Sequence, residues 1–540
     1  MRRAAASPSV PGRLNSAALA FSAATWLFAE PLYGRIVGQG VWVLLPLILV
    51  VQMIPALGFF VVDRTLARYD RPGRWLRAYR TMLMAAALMS LLRLIHLRHW
   101  PGMAEVSGAF TYGLILATAA ACVGAGVLGY RFVQWSFIFL APLLIFSTGQ
   151  FVHENAARDA QARQARTAAD AARPTTAPGP VFVIIFDELT RDVLVKNGEV
   201  DGARFPNFKA LAARGAWFTD ATSNYWLTCL SVPSLLTGRA VSLDAGGCAA
   251  GSDAMDDASL FGVLARRFRV SIYEEYLNNC LSPAFTCYGV SYLAARYPHV
   301  ALINHLVPLA ERPGLLSRAA SGSRYHAYTL PLFRTFLNSI RRDDAAGRAY
   351  YYHALLPHFP YQFNADGTPH GSPYRSFTAD GKTDALTWKN YEQQTMFVDR
   401  LLGNFLDRLR RERLLQRATI IVTSDHGPGN LEDVRDGRHP EELSPAAARV
   451  PLLIAGPGVR PQVVNVDYQH VDFLATVADV LGVGPPAGTQ GVSAFAADRP
   501  VRPKVFFWRG GRYLFDRATG ALRLSESDPA HHLWQLWGAR

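Results

Sequence analysis

Residues 181–188 read VFVIIFDE, and residues 419–427 read TIIVTSDHG. Each opens with an unbroken apolar, β-branched run too short for a helix, the pattern of a strand buried on both faces of a parallel sheet. Each then stops on ionisable groups: Asp187 and Glu188 in the first, Asp425 and His426 in the second. In an open parallel sheet, chemistry collects beyond the carboxyl ends of the strands, so the two pairs are drawn toward one edge. Carboxylates supply charge and His426 adds a nitrogen donor. Together they make a divalent-metal cage suited to Zn²⁺ or Mn²⁺ and less to Ca²⁺.

On either side of these two runs, Val270–Tyr273, Ala349–Leu356 and Val450–Ala455 are apolar segments of the same kind. Helical patterns lie between them at 206–214, 256–268, 385–413 and 470–481. This alternation predicts an α/β domain over 181–498, a mostly parallel sheet sandwiched by helices. Residues 499–540 follow a different pattern, in which KVFFWRGG and RYLFDRATGALRLS predict a small C-terminal antiparallel sheet with a turn at 516–520.

The N-terminal 152 residues are different again. Five apolar stretches, 15–33, 40–62, 81–97, 109–130 and 133–152, read as membrane spans, the second and fourth having about the twenty residues a bilayer requires. Arginines number three before the first stretch, six between the second and third, and one between the fourth and fifth. By the positive-inside rule the N-terminus is cytoplasmic, and five crossings put everything after residue 152 outside. Residues 153–180 form an Ala/Arg-rich helical connector. The whole-chain averages blend these regions: 540 residues, 50% hydrophobic, 18% charged, mean hydropathy +0.08. Such apolar content excludes disorder for most of the chain, and five cysteines exclude a disulfide-dense scaffold. The net charge of +13 owes much to the arginines of the cytoplasmic loops. With no motif and no aromatic interleaving, nucleic-acid binding has no support.

A hydroxyl-rich segment, Asn224-Tyr-Trp-Leu-Thr228-Cys229-Leu-Ser231-Val-Pro233-Ser234-Leu-Leu-Thr-Gly238-Arg239, runs into a short helix read with Pro at its start and Gly at its end. A hydroxyl at a helix N-terminus gains from exposed N–H groups, and a metal lowers its pKa further; Thr228 and Ser231 can equally be ordinary caps. His353 and His358 follow a third strand, and His439 follows His426 by thirteen residues. Gathered at the sheet edge, the three can bind a second metal, or hold an oxyanion and protonate its leaving group.

In these residues the chain resembles the sulfatase-like branch of the alkaline phosphatase superfamily over about 181–485. Asp187-Glu188, FPNFKALAARGAWFTDATS, SVPSLLTGR, PHFPY, YEQQTMFVDRLLGNFLDRL, TSDHG, VPLLIAGPG and HVDFLATVADVLG follow the order of that branch. Counting back from Leu-Thr-Gly-Arg, Thr228 stands where sulfatases carry the residue oxidised to formylglycine, and Cys229 does not make the sulfatase motif. The segment around Thr228 resembles the threonine-nucleophile segment of membrane phosphoethanolamine transferases, and lipoteichoic acid synthases also use threonine. Glu188 and Arg191 match the transferases' Glu-x-x-Arg, Asp187 replaces their glycine, and Pro428 replaces the glutamate that usually follows Asp-His-Gly.

The resemblance implies a metal-dependent two-step group transfer or hydrolysis on a phosphate or, second, a sulfate ester. The metal set is Asp187, Glu188, Thr228, Asp425 and His426; the catalytic set is Thr228, His353, His358 and His439. The partners implied are an anionic phospholipid donor and a glycan or lipid acceptor. The implied setting is the bacterial inner membrane, multi-pass, with the catalytic domain periplasmic or extracellular, and the chain is read as a monomer. Two rival readings are a membrane sulfatase or phosphodiesterase that transfers to water, and a non-catalytic cell-envelope assembly module. An outward-facing domain permits disulfides: Cys280 and Cys287 enclose a short loop, and Cys229 and Cys248 form a second candidate pair.

Overall fold

The computed structural model describes residues 10–33, 36, 39–70, 73–85, 130–171, 178–241, 258–277, 282–300, 326–369, 385–428, 442–508, 511–516 and 519–527. The chain forms two compact units, Met1–Arg163 with Val290–Ala310, and Gln164–Gly289 with Glu311–Arg540.

In the first unit an apolar helix runs from Val41 to Tyr69, 29 residues, and among the described residues it alone is long and apolar enough to cross a membrane. It contains the second stretch read as a span and leaves Trp42, Leu45, Leu49, Ile54, Leu57 and Val61 exposed. The first stretch falls on helical residues Val10–Ala24, Thr25–Ala29 and Glu30–Tyr33. The fifth is part of Tyr130–Ala171, a 42-residue helix that continues through most of the connector. The fourth stretch up to residue 129 and all of the third beyond residue 85 lie outside the described residues. Two π-helical turns, Thr25–Ala29 and Leu49–Met53, meet at buried Gln52. Its amide donates to Thr25 (2.8 Å) and Thr148 (3.1 Å) and accepts from Tyr33 (2.8 Å), so a polar group in an apolar bundle is fully satisfied. The short helix Val290–Arg296 belongs to this unit. Its Ala294 and Ala295 pack with Leu44, Leu47 and Val51, and Gln39 donates to Ser291.

Among its described residues the second unit carries sixteen strands. The main sheet uses β1 (Val181–Asp187), β4 (Gly215–Phe218), β6 (Arg269–Glu274), β7 (Thr286–Tyr288), β8 (Arg348–Pro357), β9 (Thr419–Ser424), β11 (Leu452–Ala455) and β12 (Gln462–Val464), in the order β12-β4-β11-β9-β1-β8-β6-β7. Two-stranded pairs join β2 (Val195–Lys196) to β3 (Glu199–Val200), and β13 (Tyr468–Gln469) to β5 (Ala221–Thr222). A four-stranded antiparallel sheet joins β10 (Glu442–Leu443), β16 (Leu522–Ser527), β15 (Gly511–Phe515) and β14 (Val505–Trp508).

β1 is the middle of the main sheet, parallel to β8 on one side and β9 on the other, which explains its period-free apolar sequence. Val181, Val183 and Ile185 face a core shared with Val232 and Leu235 of the Thr228–Thr237 helix and Leu474 and Val477 of the Phe473–Val480 helix. On the other face Phe182 stacks on Tyr350 and meets Phe336 and Phe405 edge-on, from the helices Thr329–Ser339 and Ala385–Arg411. Helices therefore cover both faces, as the alternation of runs predicts.

The sheet is mixed. β11, grouped in the sequence with the parallel strands, runs antiparallel to both β9 and β4. Its apolar run records burial on two faces, but direction follows from the connection, which the run itself does not carry. The C-terminal sheet has the predicted hairpins and takes β10 from the body of the domain. It also supports the segment before Thr228: Phe507 exchanges backbone hydrogen bonds with Asn224 and Trp226, and its ring stacks on Tyr225 at 5.3 Å.

Candidate active site

β1 and β9 end side by side, and their ends are laced together. Ser424 donates to the Phe186 carbonyl (2.6 Å) and accepts from the Leu189 amide (2.9 Å). Asp425 Oδ1 accepts the amides of Glu188 (3.1 Å) and His426 (2.7 Å). At Glu188 the backbone takes φ = 60°, the left-handed region, and Tyr391 pins the turn by donating to the Glu188 carbonyl at 2.7 Å.

That kink sends the two neighbouring acids different ways. Asp187 faces Asp425 and His426, and ligand atoms of these three buried residues all lie within 4.8 Å of one another. The Glu188 carboxylate instead accepts from the Phe359 amide (3.2 Å) and lies 3.4 Å from Nε2 of His358.

The cluster fits a cation. Asp187 Oδ1 and Asp425 Oδ2 are buried with no hydrogen-bond partner among the described residues, an unfavourable arrangement for carboxylates unless a positive ion sits between them. Burial, then the neighbouring Asp425 and Glu188, drive the Asp187 carboxyl well above its usual range. Burial works the same way on Asp425, but His426 and His353 beside it outweigh burial and hold it below that range. His426 Nδ1 donates to the Gly427 carbonyl at 2.7 Å, which leaves Nε2 facing Asp425 (3.3 Å) and Asp187 (3.9 Å). One oriented imidazole and two carboxylates suit a divalent ion.

Thr228 enters from the other side. The helix begins at Thr228, five residues before Pro233, so the proline lies inside the helix rather than at its start. It costs one i→i−4 hydrogen bond, and Gly238 closes the helix with φ = 63°, as read from the sequence. Thr228 is thereby the first helical residue, where the N–H groups have no carbonyl partner within the helix. Its hydroxyl donates to His426 Nε2 at 3.4 Å.

Of the histidines, His353 is fully buried. Its Nδ1 lies 2.8 Å from Glu274 Oε2, and its Nε2 has no partner among the described residues. Burial disfavours its imidazolium, but the carboxylate of Glu274 overrides burial and raises the pKa. His439, Cys248 and Cys280 lie outside the described residues. Cys229 and Cys287 are each disulfide-bonded.

Three participants are not evident from the sequence. Glu274 closes β6 just as Asp187 closes β1, and the doublet Glu274-Glu275 after Val270–Tyr273 is the signal that points to it. Ser231, in sequence terms only a possible cap, donates to the main-chain carbonyl of Asp425 and meets Nδ1 of His470 at 3.0 Å. His470, buried at the start of the last helix, is kept neutral by burial, which drops its pKa to about 3. Arg191, expected from its motif, hydrogen-bonds the Thr219 carbonyl and pairs with Asp192.

Residues 180–483 match the model of the sulfatase family, more than half of the chain. The chain belongs to the sulfatase family. It is therefore an enzyme of a metal-dependent superfamily, with an α/β sulfatase-like fold built on the mixed sheet described above. This sulfatase-family chain is 29% identical over 110 residues to a choline-sulfatase of Rhizobium meliloti, covering 20% of the chain and 21% of that protein. It is 32% identical over 127 residues to arylsulfatase K of Bos taurus, covering 22% and 23%. The chain thus spans about a fifth of the length of the curated relatives it matches. A phosphonate monoester hydrolase of Agrobacterium radiobacter superimposes over 63% of this chain and 82% of that one, at 18% identity and a TM-score of 0.41.

Proposed function

We propose that the protein transfers or hydrolyses a phosphate ester, with a sulfate ester as the second reading, in two steps through a covalent bond to Thr228. The observation that carries the proposal is the Thr228 hydroxyl, first in its helix, pointing at His426 Nε2 beside two carboxylate oxygens that have no hydrogen-bond partner among the described residues. The state of Cys229 supports threonine over a formylglycine: this cysteine is buried and disulfide-bonded, so it offers no thiol for oxidation.

Asp187, Asp425 and His426 would hold Zn²⁺ or Mn²⁺, with Thr228 and Glu188 completing the set. A bound divalent ion would lower the pKa of the threonine hydroxyl and offset charge on the ester. Thr228 Oγ, its proton released to solvent, attacks phosphorus in line, and the bond to the departing alkoxide breaks. His353, His358 and His439 stabilise the equatorial oxygens or protonate the leaving group. Water or an acceptor hydroxyl then displaces Thr228, which regains its proton.

The apolar Val41–Tyr69 helix and the arginine-rich loops support a membrane setting with five spans and an outward-facing catalytic unit. There the donor is an anionic phospholipid and the acceptor a glycan or lipid. The similarity to choline-sulfatase and arylsulfatase K favours the sulfate alternative, with water as acceptor. Mass spectrometry of the Thr228 peptide after trapping with candidate esters tests both readings. A phospho-alcohol adduct supports transfer from phospholipid, and a sulfate adduct supports the second reading. An unmodified Thr228 with the label on another residue would sink the nucleophile assignment.

A further inference from the structure

The strand register puts a carboxylate behind one histidine. β6 and β8 are parallel with Glu274 opposite His353, and β8 places His353 opposite Ile185 of β1. Both side chains of the pair are inaccessible to solvent, and Nδ1 to Oε2 is 2.8 Å. Oε1 of Glu274 accepts the amides of Tyr276 (2.8 Å) and Leu277 (3.1 Å). One carboxylate oxygen is thus fixed by the turn that follows β6, and the other is left to the imidazole. A histidine whose Nδ1–H is engaged has one ring atom left for chemistry. In His353 that atom, Nε2, is buried without a partner among the described residues, and the ring is close enough to Asp425 for their charges to interact.

We propose that Glu274 is a positioning residue that makes His353 the proton donor to the leaving oxygen. This rests on the two-step reading above and selects one histidine from the set named there. As Thr228 Oγ, its own proton already released to solvent, forms its bond to phosphorus or sulfur, the bond to the departing oxygen breaks and that oxygen keeps the electron pair. The Nε2–H proton of His353 passes to it, and the Nδ1–H stays on the ring, held by Glu274. In the second step the now neutral Nε2 takes a proton from the incoming water or hydroxyl. Glu274 never touches substrate. It fixes the ring's orientation and favours its protonated form, which the low-polarity interior would otherwise resist.

Leaving-group dependence tests this in the full-length, metal-loaded protein, since a good leaving group needs little protonation and a poor one needs much. The probes are bis(4-nitrophenyl) phosphate and diphenyl phosphate, with the matching aryl sulfates run in parallel. Glu274→Gln is expected to lower kcat on the phenyl ester by about 100-fold, within the range of general-acid effects, and on the nitrophenyl ester by less than about tenfold, with KM little moved. Glu274→Asp, which keeps the charge, should fall between, and His353→Gln should reproduce the pattern without adding to Glu274→Gln. Equal losses on both esters, or none on either, would overturn the proposal. A readout independent of turnover is the downfield proton resonance of a carboxylate-bound imidazole N–H. It should be present in the parent and lost in both Glu274→Gln and His353→Gln; its absence from the parent would also overturn the proposal. If Thr228→Ala retained turnover, the nucleophile assignment would fail while the leaving-group comparison still judged Glu274.

Discussion

Thr228 Oγ1 lies 3.4 Å from Nε2 of His426, though the two residues are 198 positions apart in the chain. The contact requires His426 in one tautomer, since its Nδ1 donates to the Gly427 carbonyl. Thr228→Ala should leave the fold and melting temperature near those of the parent and lower turnover by at least about 10⁴-fold. Thr228→Ser, which keeps a hydroxyl, should retain measurable activity. Steady-state kinetics beside circular dichroism check this; a fully active alanine variant would remove Thr228 from the mechanism.

The facing carboxylates of Asp187 and Asp425 predict opposite effects with and without metal. In chelator, Asp187→Asn relieves the repulsion and is expected to melt a few degrees above the parent. With added Zn²⁺ or Mn²⁺ the parent should gain several degrees and the variant little. Differential scanning fluorimetry across a metal titration reads both arms, and an equal metal-induced gain in the two proteins would count against Asp187 as a ligand.

Glu275 sits beside the Glu274–His353 pair but does other work. Burial is the main cause lifting its pKa from 4.5 to about 8, against the hydrogen bonds from Thr329 and Leu355 that lower it. Below pH 4.5 folded and unfolded chains both hold the proton. Between there and about pH 8 only the unfolded chain loses it, so this group withdraws stability as pH rises, at up to about 1.4 kcal/mol per pH unit. Above the folded-state pKa the loss levels off. Glu275→Gln should therefore gain on the parent as pH climbs from 5 to 8 (roughly the window of the shift) in denaturant melts. Parallel stability curves would show that this residue titrates normally.

Asn224 ties three separated segments together. Its amide donates to Gln469 (2.9 Å) and the Val505 carbonyl (3.0 Å) and accepts from the Val471 amide (3.2 Å). Asn224→Ala leaves buried groups unpaired and should cost about 2–4 kcal/mol. Because this segment leads into Thr228, kcat should fall as well. Limited proteolysis and kinetics on one preparation test the link.

What could be read in the sequence follows physical lines. A strand buried on both faces writes its burial directly into a run such as VFVIIF, and the acids at its end mark the sheet's working edge. Direction and register leave no such trace. Nothing in LLIA distinguishes β11 from a parallel strand, and nothing in the sequence aligns Glu274 with His353, 79 residues away. Pro233 misleads because proline is favoured in the first helical turn, whereas here the helix starts upstream and thereby places Thr228 at its head. Asp187, Asp425 and His426, in contrast, come together from sequence positions that already look alike.

The kink at Glu188 has an evolutionary cost that mutagenesis can expose. A side-chain-bearing residue held at φ = 60° forgoes about 1 kcal/mol that glycine would recover, so the most direct way to make this unit sturdier is also a way to disarm it. A library selected for heat resistance alone should drift toward glycine at position 188, whereas one selected for turnover should hold the acid there.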